Sequence, residues 1–138
     1  MDDIILNKAA IIERCLKRIH EDYDGYEEEF KTSFLRQDAI ILNLQRACEA
    51  SIDLAAHIIR VKKLGLPQTS RDMFALLQDA GLIDTQLSDR LQKMTGFRNI
   101  AVHNYQKLDL AIVQHLIEHR LDDIQAFSSA MLALNHPN

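Results

Sequence analysis

The chain has 138 residues, 47% of them apolar, and a formal net charge of −4. That length suits one helical domain over residues 1–138, with a core that needs no metal or disulfide staples. The acidic balance excludes a general nucleic-acid coating protein, which is ordinarily basic, so any RNA contact has to be a local basic site or a surface supplied by a dimer.

Leu, Ile and Ala dominate and Trp is absent, a composition that favours helix over strand. Proline stands only at Pro67 and Pro137, which leaves room for long helices between them. Cys15 and Cys48 have no metal-ligand spacing and read as buried free thiols in a reducing compartment. Met1-Asp2-Asp3 is acidic where a signal peptide is basic, and no apolar run is long enough to cross a bilayer. The expected setting is the cytoplasm, without a membrane partner.

The first helical pattern runs from about Asp3 to His20, with Ile5, Ala9, Ile12, Leu16 and Ile19 on one stripe. Gly25 marks the turn after it. A second, long pattern spans about Tyr26 to Lys63. Phe30, Phe34, Ile41, Leu44, Cys48, Ala55 and Ile58 form one stripe; Ile40, Ala47, Leu54 and Val61 form another. Two stripes predict a helix that serves as the spine of a bundle and as part of a dimer seam. Gly65-Leu66-Pro67 ends it.

Thr69 or Ser70 can cap a third helix, from about Arg71 to Ala80. Asp84 or Thr85 can cap a fourth, reaching Ala101 or His103. Asp109 opens a fifth, to about Asn135, with Leu110, Val113, Ile117, Leu121, Ile124 and Met131 on its stripe. The expected fold is all-α, an antiparallel bundle of about five helices.

The chemistry concentrates in Arg98-Asn99-Ile100-Ala101-Val102-His103-Asn104-Tyr105. Arg98 falls where the apolar stripe of the fourth helix is due, between Met94 and Ala101. A guanidinium there must find an anion, a carbonyl or a cleft. Residues five apart on a helix point about 140° from each other. Arg98 and His103 therefore converge only if the helix ends near His103 or if a second chain supplies half of the site. Imidazoles titrate near neutrality, so His103 suits a general base or acid on a 2′-hydroxyl or a leaving oxygen. Arg98 suits a phosphate, and Asn99 can bind that phosphate or orient His103. The scheme needs no metal and no cofactor. On pattern alone, an Arg paired with a carboxylate and a His at a helix end is the better explanation of the same residues.

The segment from Arg98 to His103 resembles the R-x4-6-H motif of HEPN ribonucleases. Through Tyr105 it reads R-x4-H-x-Y, which resembles the HepT-like toxins of that family. The stretch Gln37-Asp38-Ala39-Ile40-Ile41-Leu42-Asn43-Leu44-Gln45-Arg46-Ala47-Cys48-Glu49-Ala50, with Ile52-Asp53-Leu54-Ala55 and His57, is similar to the long helix of these toxins. The resemblance implies a helical bundle that forms a homodimer and brings two motifs into one cleft, cutting RNA without a metal ion. It also implies an MntA-like nucleotidyltransferase antitoxin, which transfers AMP from ATP to the motif tyrosine, here Tyr105. Two other classes stay open: a non-catalytic nucleotide- or RNA-binding subunit of a nucleotidyltransferase complex, and a bare dimerisation bundle.

His115, His119 and Asp122 share one helical face and can be read as metal ligands, although a solvated face explains them better. His57 can be a seam histidine or line the site. The acidic run Glu21, Asp22, Asp24, Glu27, Glu28 and Glu29 suits a solvated helix start. Arg90, Lys93 and Lys107 can extend a phosphate track beside Arg98, or simply form a polar face.

Overall fold

The computed structural model describes residues 2–135; Pro137 lies outside them. Within that range the chain forms seven α-helices and one 3₁₀ turn, and no strand. The helices are α1 (Asp3–Tyr23), α2 (Glu27–Phe30), α3 (Phe34–Lys62), α4 (Ser70–Asp79), α5 (Thr85–His103), α6 (Leu110–His119) and α7 (Leu121–Ala133). The 3₁₀ turn, Tyr105–Lys107, follows α5.

Side-chain caps fix five of the helix starts. Asp2 accepts from the Ile4 and Ile5 amides, Ser33 from Arg36, Thr69 from Asp72, Asp84 from Leu87 and Asp109 from Ala111. Each oxygen satisfies an amide that has no partner inside its helix. Thr69, not Ser70, caps α4, which frees the Ser70 hydroxyl for another contact.

The expected stripe of α1 is buried in full: Ile5, Ala9, Ile12, Leu16 and Ile19. It packs on α3 and α7. The spine, α3, is 29 residues long, about 44 Å at 1.5 Å per residue. α1, α4, α5 and α7 all pack on it. Burying each of its large aliphatic side chains contributes about 1.5–3 kcal/mol. α4 and α5 form a helical hairpin through Gly81, whose φ of +76° suits the tight turn. Phe74 of α4 meets Phe127 of α7 edge to face, with centroids 5.5 Å apart.

The count of about five helices is corrected to seven because two of the patterns break. Ser33 caps α3 and so interrupts the second pattern after Phe30; the Gln37 amide satisfies the stranded Phe30 carbonyl at 2.8 Å. The fifth pattern breaks at Arg120, whose backbone (φ −124°, ψ −3°) leaves the helical region before Leu121 resumes it. The apolar stripe survives the break: Val113, Ile117, Leu121, Ile124 and Met131 are all buried. Lys63 ends α3 in the left-handed region (φ +55°), and the Leu64 amide reaches back to the Ile59 carbonyl at 3.0 Å. That is the 6→1 closure of a Schellman turn, made without glycine at its usual place.

Within one chain α3 is the spine expected of it, with most of its second stripe turned inward. Ile40, Ala47 and Leu54 of the second stripe are wholly buried inside this chain. Outside lie Val61 of that stripe, Phe34 of the first, and Leu35 and Leu42, with Leu35 83% exposed. Both cysteines are buried and unpaired.

Candidate active site

Arg98 sits on α5 where the helix faces α4, and it is half-buried. Its Nη2 donates to the Ser70 Oγ at 2.9 Å. Its Nε is buried without a hydrogen-bond partner. Among the described residues no carboxylate lies within ion-pair distance of the guanidinium. A partly desolvated cation with an idle donor is costly unless an anion arrives to use it. The ordinary explanation of Arg98, a carboxylate pair, is therefore absent among these residues. Behind it lies Cys48, whose thiol is pushed up to about 12 by burial, with the Arg98 charge acting in the opposite sense.

α5 ends at His103, where the Asn104 amide closes the last turn on the Ile100 carbonyl at 2.8 Å. Helix termination at His103 was one of the two ways to join Arg98 with His103. It does not join them, because both residues are still helical and keep their 140° separation. Arg98 turns inward to α4, whereas His103 and Asn99 are exposed on the other face. One chain thus presents a half-buried guanidinium and an exposed imidazole side by side along the helix, not as one cluster.

Tyr105 lies outside α5, in the 3₁₀ turn, with its ring 44% exposed. Its hydroxyl donates to Asp38 Oδ1 at 2.5 Å, across 67 residues of sequence. Partial burial, and secondarily the Asp38 carboxylate, push the phenol up to about 12. Asp38 stands on α3 on the same face as the exposed Leu35 and Leu42. The carboxyl end of α5 and the amino end of α3 therefore meet at one exposed, partly apolar surface that carries the motif. Val102 and Ile100 add exposed apolar area at the end of α5.

Two site neighbours, Ser70 and Asp38, were not singled out from the sequence. Ser70 gave only a capping signal. Asp38 lay inside the stretch that resembles the long toxin helix, as one acid between exposed leucines.

Other candidates resolve plainly. His57 is not a seam residue: its ring is buried in the chain, with Arg60 Nη2 donating to Nδ1 at 3.1 Å. Because Arg only donates, Nε2 carries the proton and donates to Asp2 Oδ2 at 2.5 Å. That bond holds the Asp2 carboxyl below its usual range. His57 therefore ties α3 to the start of α1, about 28 Å along α3 from Asp38.

His115 and His119 are exposed on α6, while Asp122 belongs to α7 beyond the break. Among the described residues no group of three His, Cys, Asp or Glu side chains is placed to hold a metal. Arg90 pairs with Asp123 and Lys93 with Asp89, each at 3.1 Å, so neither is an idle phosphate contact. No described helix is long and apolar enough to cross a membrane.

The chain is similar to known proteins over most of its length. The ribonuclease HepT-like family matches residues 12–131. The chain is 54% identical to the mRNA nuclease HepT of Shewanella oneidensis over 133 residues, covering 96% of this chain and 99% of that one. It is 26% identical to the tRNA nuclease HepT of Aphanizomenon flos-aquae over 106 residues, 77% of this chain and 72% of the relative. In structure it is similar to the tri-AMPylated Shewanella oneidensis HEPN toxin solved in complex with its MNT antitoxin. The TM-score is 0.91, with 54% identity, over 96% of this chain and 99% of that one. With the family model matched over residues 12–131 and the Shewanella toxin matched over 96% of the chain, this helical bundle belongs to the ribonuclease HepT-like family.

Proposed function

We propose that this chain is a metal-independent RNA endonuclease toxin, active as a homodimer in the cytoplasm and silenced by AMP transfer to Tyr105. The observation that carries this reading is Arg98: half-buried, held by Ser70, and left with an idle Nε and, among the described residues, no carboxylate. A phosphodiester is the anion such a group fits, and bidentate guanidinium–phosphate contact adds orientation to charge.

His103 supplies the proton chemistry. As general base it takes the proton of the 2′-hydroxyl, whose oxygen attacks the adjacent phosphorus while the 5′-oxygen leaves. Arg98 stabilises the charge gathering on the phosphorus oxygens. Asn99 shares the exposed face with His103 and binds or orients the phosphate. A second copy of the chain completes the cleft, since one copy keeps Arg98 and His103 on different faces. The leaving 5′-oxygen takes its proton from solvent, so each composite site needs one Arg98 and one His103. The exposed Phe34, Leu35, Leu42 and Val102 around the motif supply apolar area for such an interface.

Silencing follows from the same geometry. AMP on Tyr105 adds a phosphodiester charge beside the motif, competes for Arg98 and repels RNA. An MntA-like nucleotidyltransferase is the expected partner, by similarity to the Shewanella toxin bound to its MNT antitoxin.

The deciding experiment is expression of the chain alone, beside Arg98→Ala and His103→Ala, with growth and RNA integrity followed. Toxicity should be lost, and RNA cleavage should fall at least about a hundredfold in both variants. Equal toxicity of all three would overturn the catalytic reading, and RNA binding without cleavage by the wild type would favour a non-catalytic RNA-binding subunit.

A further inference from the structure

We infer that Asp38 is the general base for the modification of Tyr105: it positions the phenol and accepts its proton as the oxygen attacks a nucleoside triphosphate. This rests on the reading of Tyr105 as the AMP acceptor and adds a residue on a different helix to that reaction.

The geometry is direct. The phenol has one proton, and that proton points at Asp38 Oδ1, 2.5 Å away between oxygens. Both oxygen lone pairs are left free for a phosphorus atom. Tyr105 is 44% exposed and lies in a short turn outside α5, so in one copy of the chain the oxygen can be reached without moving a helix. Among the described residues no cation lies within ion-pair distance of Asp38. Its charge is therefore committed to the phenol. Asp38 is also the one charged group that perturbs the Tyr105 hydroxyl.

The chemistry requires such an acceptor. With the phenol pushed up to about 12, only about one molecule in 10⁵ carries phenolate at pH 7. Tyr105 must lose its proton during the attack, not before it. The phenolic oxygen forms a bond to the α-phosphorus of the triphosphate. The bond from that phosphorus to the bridging oxygen of the β-phosphate breaks, and pyrophosphate leaves with the electron pair. The phenol proton passes to Asp38 and then to solvent. The product is an aryl phosphodiester with one negative charge and no donor for Asp38. The modified side chain then turns away from α3, because two anions face each other where a hydrogen bond had been.

The test uses the purified full chain, its transferase partner and ATP, with single-turnover incorporation of AMP followed by mass spectrometry from about pH 6 to 10. Asp38→Asn keeps shape and removes the base. It should slow transfer at least about a hundredfold at pH 7, with an unchanged KM for ATP. Its rate should climb about tenfold per pH unit as hydroxide takes over deprotonation, whereas the wild-type rate stays nearly flat. Asp38→Glu should recover part of the rate. A wild-type rate in Asp38→Asn, or a loss of equal size at every pH, overturns the assignment to Asp38 alone. Absence of AMP on the wild type, or AMP persisting in Tyr105→Phe, overturns the choice of Tyr105 and the role of Asp38 with it.

Discussion

Arg98 and Ser70 are joined by a 2.9 Å hydrogen bond from the guanidinium to the hydroxyl, although α4 and α5 place them 28 residues apart. The bond fixes one arm of the fork and leaves Nε idle. Arg98→Ala should cut RNA cleavage by about 10²–10³-fold, the usual loss for a group that stabilises transition-state charge. Arg98→Lys should recover little, because an ammonium cannot make the planar double contact. Ser70→Ala removes only the anchor and should cost about tenfold or less. Single-turnover cleavage of a defined RNA measures all three, and full activity in Arg98→Lys would show that a point charge is enough.

The 140° between Arg98 and His103 along α5 leads to a test of the two-chain cleft. On that reading, homodimers of Arg98→Ala or of His103→Ala each lack an intact site. Mixed dimers that pair Arg98 of one copy with His103 of the other contain one intact site. A 1:1 mixture refolded together should therefore return about one quarter of wild-type activity. No recovery would place both groups within one chain.

Leu35 and Leu42 flank Asp38 on the open face of α3, at 83% and 42% exposure. Leu35→Glu with Leu42→Glu puts two charges into the proposed interface and should convert the dimer to monomer, with activity falling in step. The folded monomer should lose little stability, since neither side chain belongs to the core. Sedimentation and thermal unfolding separate the two effects; a double variant that stays dimeric moves the interface elsewhere.

High pH probes a different contact. Tyr23 is buried where α1 meets α6, and its hydroxyl hydrogen-bonds with Glu118 and Gln114. Burial first, and Glu118 second, push this phenol up to about 12. In the unfolded chain it ionises near 10. The folded state therefore holds its proton more tightly, and the associated stability is complete below pH 10 and lost between 10 and about 12. Tyr23→Phe has no proton to lose. Its urea midpoint should fall less steeply across that window than the wild type's; parallel curves would assign the alkaline loss to other groups.

Much of the fold could be read from apolar spacing, because helices other than the central α3 bury one stripe each. The α1 stripe was legible residue by residue. The breaks at Ser33 and Arg120 were not, since apolar periodicity continued through both. At Ser33 a capping hydroxyl outweighed helix continuation; at Arg120 the stripe was carried over a change of axis. The second stripe of α3 suggested a partner chain, but α1, α4, α5 and α7 cover Ile40, Ala47 and Leu54 and leave only Val61 of it exposed. For the site, Arg98 stood out because a charge occupied an apolar position. Ser70 and Asp38 reach the motif only through tertiary packing, which local spacing does not encode.

Tyr105 occupies the short turn that follows α5, with its ring partly in solvent, and not a position on the helix itself. On the proposed reading, a nucleotide attached there displaces no core side chain and breaks no helical hydrogen bond. Modified and unmodified chains should melt within about 2 °C of each other. The off state is thus a stored enzyme and not a dismantled one. Its return to service depends on breaking a single covalent bond, without renewed synthesis, folding or assembly.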